Sequence, residues 1–264
     1  MHALPRRGFL FAGAAALATR IAAQTPRESP SRDALIDDVV TANHILAAQE
    51  IVDAFGHVSV RTAPGAGRYL ISRSVAPAQV TAADVMELDL DSKPAAGEKR
   101  TSYRERFIHG EIYRVRPDVM SIVHCHAPAL IPFGITRIPL RPVYHNSSFV
   151  GEGVPVFEIR EGGGDTNMLV ETAELGRALA KALGNKPAVL MRGHGAVIVG
   201  KSIIESVARS VYLEVNARVQ AQAMAMGQRI SYLDEGEVKK RAEDPDPYGR
   251  AWDLWKRQVM QGAR

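Results

Sequence analysis

The sequence predicts a single α/β domain with a mixed sheet between helices. Three observations predict it. Helical and strand-like segments intermix along the chain, and short turns that suit hairpins are as frequent as longer crossovers. Hydrophobic residues make up 46% and charged residues 23% of the 264 residues, which supports a real core and excludes a disordered, collagenous or coiled-coil chain. The hairpins argue against a doubly wound parallel sheet, whose strands need helical crossovers.

The elements follow in order. Residues 34–54 place Leu35, Val39, Val40, Ile45, Leu46, Ile51 and Val52 at roughly helical spacing, and Gly56 supplies a stop. Strand-like runs come next at His57–Arg61, Tyr69–Ser72 and Val85–Leu90. A helix is expected over Ser102–Arg116, stopped by Pro117. Val119–His126 reads as a strand closed by Pro128, and Val154–Ile159 as another before the glycine loop Glu161–Asp165. That loop lacks the strand–GxxxxGK[ST]–helix context of a phosphate site and reads as surface. Thr172–Leu183 is an amphipathic helix ending at Gly184. Ala188–Met191 and Ala196–Val199 form a hairpin around Arg192-Gly-His-Gly195, and a long helix runs over Ile203–Met226. The charged tail from Asp234 carries Tyr248, Trp252 and Trp255.

The N-terminal segment is of another kind. Met1–Ala23 has Arg6-Arg7 ahead of an apolar run from Phe9 to Ala18 and a small-residue cleavage site at Ala22-Ala23. This is the order of a secretory signal, and Arg-Arg-x-Phe-Leu resembles a twin-arginine type, so a periplasmic location is expected, with an uncleaved anchor or a chance basic N-terminus the alternative. The apolar run is too short for a membrane span of about 20 residues, so no membrane contact is expected after export. Gln24–Asp33 is polar, with two prolines, and reads as a linker. The formal net charge is +4; without Met1–Ala23, which holds three arginines and no acid, it is +1. The basic balance is the leader's, and nucleic-acid binding is not expected. The one cysteine, Cys125, excludes a disulfide framework and a cysteine-based zinc cluster.

The chemistry lies in the histidines. His124 and His126 stand at i and i+2 in an apolar run. On a strand they share a face, and Cys125 points the other way into packing. His194 sits between two glycines, which allow a sharp turn and close approach of a ligand. Neutral imidazoles suit Zn, Mn, Fe and similar divalent ions, and three of them leave positions open for substrate. A carboxylate would complete the set. Glu105 and Glu111 both lie on the helix ahead of the His-x-His strand, and spacing does not choose between them.

Gly56-His-Val-Ser-Val-Arg61, Glu105-Arg-Phe-Ile-His109, Arg116-Pro-Asp118, Val123-His-Cys-His-Ala-Pro128 and Gly193-His-Gly195 together resemble the class II aldolase/adducin-like family. The resemblance covers about Asp33 to Ile230 and places one such domain, with a helical tail, over residues 34–264. It implies a three-layer α/β/α domain with a central, mainly antiparallel sheet. It implies a divalent metal, zinc or manganese, held by His124, His126, His194 and Glu105, with Glu105 also the candidate acid–base. It further implies a homotetramer in which a tail residue completes a neighbour's site, a part open to Tyr248 and to the Trp252/Trp255 pair; a docked C-terminal helix is the alternative.

Sugar-phosphate aldolases of this family hold phosphate with Gly-Asn, Thr-Gly and Ser-Ser pairs. Here those positions read Gly56-His57, Ser74-Val75 and Tyr103-Arg104, which undermines a phosphate cradle. The arrangement looks more like the decarboxylase branch, acting on hydroxylated pyridine- or benzene-dicarboxylates. A carboxylate substrate would find Arg73 and Arg104, whose guanidinium groups bind carboxylates in bidentate fashion, with an ordinary surface arginine the alternative for each. His57, Ser74 and His145 are further substrate-side candidates, and His109 reads as either a support for the site or a core histidine. The expected activity is a metal-dependent carbon–carbon lyase that decarboxylates a hydroxylated aromatic or heteroaromatic acid. An aldolase or epimerase acting on a small hydroxy-carbonyl compound is the alternative. A non-enzymatic adducin-like interaction module is the third reading, and an open metal site speaks against it.

Overall fold

The computed structural model describes residues 30–151, 153–244 and 247–262. The expected leader at Met1–Ala23 and most of the expected linker lie outside the described residues. Helix α1 (Arg32–Ala48) takes in the last two residues assigned to the linker, because the Ser31 side chain caps it by accepting from the Ala34 N–H. It ends at Ala48 rather than Ala54: Glu50 adopts a positive φ of 58° and turns the chain, so Ile51 and Val52 are buried without being helical.

Among the described residues seven strands form one sheet: β1 (His57–Arg61), β2 (Arg68–Ser72), β3 (Val85–Asp89), β4 (Ser121–Cys125), β5 (Val156–Phe157), β6 (Ala188–Met191) and β7 (Gly195–Gly200). Their order is β3-β2-β1-β4-β7-β6-β5, and every pair is antiparallel except β5 with β6. The expected Val154–Ile159 strand shrinks to the two residues of β5, and helix α4 (Ile159–Gly163) runs into the expected glycine loop.

Helices cover both faces. On one, α1, α6 (Ile203–Ala225) and α8 (Gly249–Gly262) pack over Val58, Val60, Val123 and Cys125. On the other, α2 (Phe107–Val115) and α5 (Ala173–Leu183) pack over Ile71, Ile122, Val197 and Val199. This gives the three-layer α/β/α arrangement. The remaining helices are α3 (Ile131–Ile135) and α7 (Glu235–Arg241). The expected Ser102–Arg116 helix is shorter. Arg104–Arg106 is a 3-10 turn with Glu105 at φ −86°, ψ 19°, and the α-helix starts only at Phe107. Among the described residues no helix is long and apolar enough to cross a membrane.

Candidate metal centre

Strand β4 is the base of the site. It is the fourth of seven strands, bonded to β1 on one side and β7 on the other, with His124 opposite His57 and Val197. His124 is fully buried; His126 is half-buried, one residue beyond the strand's end. Cys125 points to the opposite face, as alternation requires, and burial pushes its thiol up to about 12.

His194 arrives on the turn between β6 and β7. Gly193 makes that turn at φ +63°. Gly195 has a different duty: a Cβ there would lie 2.0 Å from the Cys125 carbonyl oxygen, so glycine admits the neighbouring strand's backbone rather than a ligand. Gly56 does the same on the other side. Its φ is +90°, and a Cβ would lie 2.6 Å from Val52 and 3.0 Å from the His124 carbonyl oxygen. Two glycines thus press the strand that carries the histidines from either side.

Glu105 enters from its 3-10 turn. Its Oε1 accepts a 2.9 Å hydrogen bond from the Val170 N–H, which turns Oε2 toward the histidines. Oε2 lies 3.3 Å from His124 Nε2 and 3.6 Å from His194 Nε2, while His126 Nε2 lies 3.1 Å and 3.0 Å from the same two nitrogens. The structure thus gathers Glu105, His124, His126 and His194, with all four ligand atoms within 4.8 Å of one another. Glu111 stands apart: it is buried against Arg114 and Arg177.

The donor set fits a divalent cation. Ligand atoms arranged tetrahedrally at about 2.1 Å from an ion stand about 3.4 Å apart, close to these separations. His124 Nδ1 donates to the Ala196 carbonyl at 3.1 Å, which leaves the Nε2 lone pair facing the cluster. Burial, then the neighbouring histidines, push the His126 imidazole down to about 4, and burial and His124 lower His194. Both rings are therefore neutral near pH 7, the form that binds metal. Burial raises the Glu105 carboxyl, but His124, His194 and the Val170 N–H outweigh it and hold the group at about 2.

The substrate-side candidates divide. His57 is buried beside the cluster, its ring 5.1 Å from that of His124 and 4.6 Å from that of Tyr103. Burial holds it well below the ordinary histidine range. The others are not brought to the cluster. Arg73 Nε is 2.6 Å from Asp84, and Arg104 pairs with Glu171. Ser74 is exposed, with its N–H bonded to the Thr101 carbonyl. His145 is exposed and lines a separate hollow with Leu233, Glu237 and Lys240. Tyr248 is buried against Tyr212 and the two tryptophans of α8, as a docked tail would have it. The sequence reading missed the backbone anchors at Val170 and Ala196, which no side-chain pattern signals. It also missed Phe55, 67% exposed, whose ring lies 6.5 Å from His126.

The chain is similar to known proteins over most of its length. The chain is 34% identical to the decarboxylase tropJ of Talaromyces stipitatus over 247 residues, covering 84% of this chain and 93% of that protein. It is 28% identical to 3,4-dihydroxyphthalate decarboxylase of Arthrobacter keyseri, covering 79% of this chain and 85% of that one. The crystal structure of an aldolase II superfamily protein from Pseudomonas syringae superposes with a TM-score of 0.72 at 20% identity, covering 89% of this chain and 96% of that one, a likeness of fold. Residues 37–221 match the family described as Class II Aldolase and Adducin N-terminal domain, and the chain belongs to that family.

Proposed function

We propose that the chain is a divalent-metal-dependent decarboxylase of hydroxylated aromatic or heteroaromatic carboxylic acids. One observation carries it: Glu105, His124, His126 and His194 converge as a ligand set in a chain 34% identical to a decarboxylase. The name 3,4-dihydroxyphthalate decarboxylase supplies the substrate class, a hydroxylated ring bearing carboxylates.

The ring carbon that bears the carboxylate takes a proton from solvent as electrons flow in from the ionised ring hydroxyl, and loss of CO2 then returns the electron pair of the broken bond to the ring and the hydroxyl oxygen. Glu105, His124, His126 and His194 would hold a divalent cation, zinc or manganese, which would supply Lewis-acid stabilisation of the charge on the ring hydroxyl oxygen. Glu105 serves as a ligand rather than as the proton donor, since Oε1 is occupied by the Val170 N–H and Oε2 faces the imidazoles. Phe55 gives the mouth of the site an apolar wall that suits a planar ring. Export to the periplasm through Met1–Ala23 and assembly as a homotetramer belong to the same reading. Cell fractionation and light scattering test them.

The experiment uses the chain from Gln24 onward, loaded with Zn2+ or Mn2+, on a panel of hydroxylated benzene- and pyridine-dicarboxylates. Metal-dependent CO2 release, absent in His124→Ala, is the expected result. An aldehyde product without CO2 replaces the reading with aldol chemistry. A chain that binds no metal replaces it with the interaction module.

A further inference from the structure

Behind the cluster lies a chain of buried polar groups that ligand binding alone does not require. His57 Nδ1 is 2.7 Å from His109 Nε2, His109 Nδ1 is 2.6 Å from Ser59 Oγ, and Ser59 Oγ is 2.8 Å from Tyr113 Oη. Exposure is 3% at His57, 0% at His109 and Ser59, and 1% at Tyr113. Four polar side chains sealed in a core cost free energy unless each is bonded, and a bonded chain fixes the orientation of its members.

The direction of the hydrogens can be read. Burial pushes His109 down to about 3, so its ring carries one N–H near pH 7. Ser59 Oγ has no acceptor besides His109 and Tyr113 among the described residues, so a chain that leaves none of its hydrogens unbonded points one way or the other. Tyr113 decides: its hydroxyl is 2.8 Å from Ser59 Oγ but 3.5 Å from its other acceptor, the Met120 carbonyl. Its hydrogen goes to Ser59, the Ser59 hydrogen goes to His109 Nδ1, and His109 Nε2–H donates to His57 Nδ1. His57 is left with its hydrogen on Nε2. No hydrogen bond holds that nitrogen among the described residues. It belongs to the ring packed on His124, directly across the β1–β4 pair.

We propose that His109, Ser59 and Tyr113 are positioning residues that hold His57 in the Nε2–H form and so present a neutral N–H donor to a carboxylate oxygen of the substrate. This rests on the decarboxylase reading for the identity of the acceptor. The arrangement of the chain does not depend on it.

The test uses the zinc-loaded chain with 15N-labelled histidine. The His57 signals, assigned by their loss in His57→Phe, are expected to show a protonated Nε2 and a bare Nδ1. His109→Gln offers an amide N–H to His57 and a carbonyl to Ser59, so it should keep that pattern. His109→Leu offers neither and should lose it. In CO2 release, His109→Leu is expected to raise KM about 10- to 100-fold, the worth of one hydrogen bond to a charged group, with a smaller change in kcat. His109→Gln should restore most of the loss. In a His57→Phe background, His109→Leu should add nothing, whereas a structural role would multiply the two effects. A protonated Nδ1 in the parent chain, or multiplicative effects, would overturn the proposal. If His109→Leu does not fold, the parent and Gln spectra still decide it. A parent chain that releases no CO2 removes the decarboxylase reading, while the spectra still report the tautomer.

Discussion

Strands β1 and β4 bury both of their faces, and the two faces are built on different terms. Toward α1 and α6, the pair shows Val58, Val60, Val123 and Cys125, with one polar member, Ser121, whose hydroxyl lies 2.7 Å from that of Ser206 on α6. Toward α2 and α5, the same strands show His57, Ser59, Arg61, Ile122 and His124, all buried. The apolar face is held by area and shape, so its members are exchangeable at a graded cost. The polar face is held by directed bonds. Even Arg61 is satisfied there, with Nε donating to the Val119 carbonyl and the guanidinium stacked on Tyr113. Side chains two residues apart on one strand thus serve one layer, and their neighbours serve another.

The comparison can be broken most forcefully at His124. His124→Ala should cut metal affinity more than about 100-fold, above the 10–100-fold typical of residues that only support ligands. Calorimetric titration with Zn2+ measures this, and circular dichroism should show an intact fold. On the opposite face, Val123→Ala should lower stability by about 2–3 kcal/mol through lost burial and a cavity. Its metal affinity should stay unchanged, and an effect on zinc binding would mean the faces are not separable.

A third experiment sharpens the contrast through pH. In the metal-free chain His109 takes up its proton near pH 3 when folded, against about 6.5 when unfolded. Between those values the unfolded chain holds more protons, so stability is fullest above pH 6.5 and falls as pH drops toward 3. Glu105, held at about 2, adds a loss in the same direction below about 4.5. The melting temperature should therefore fall from pH 7 to pH 4.5, and His109→Gln should flatten that slope. The smallest effect concerns Cys125. With its thiol pushed up to about 12 and buried, it should resist a thiol reagent at pH 8 in the folded chain and react after denaturation.

Most of the layered fold was legible because each strand's pattern had a local cause. His57–Arg61 and Ala188–Met191 appear at the residues expected, and Thr172 caps α5 with the Leu175 N–H. The errors lie where a tertiary contact overrode local pattern. Glu105 is pulled off the helix into a turn by its bond to Val170, 65 residues away. The Ile51-Val52 pair kept helical spacing but follows a left-handed break at Glu50. In the site, strand parity placed His124 and Cys125 on opposite faces, and the family resemblance selected Glu105. The same parity links Ser59 to His57, and α2 spacing links Tyr113 to His109. Those signals were present in the sequence but became readable only once the helix lay over the strand. Arg73 and Arg104 show the limit: composition offers guanidinium groups, and the structure spends them on Asp84 and Glu171.

The central place of β4 also sets the order in which the site comes apart. Its amides are bonded on both sides, so they should exchange with solvent only when the whole sheet opens, among the slowest in the molecule. Glu105 and His194 sit on turns, which should open locally and more often. An ion leaving this cluster would lose its carboxylate and its turn histidine first and the strand histidine last. The dissociation rate would then report the breathing of two loops, while equilibrium affinity reports the sheet.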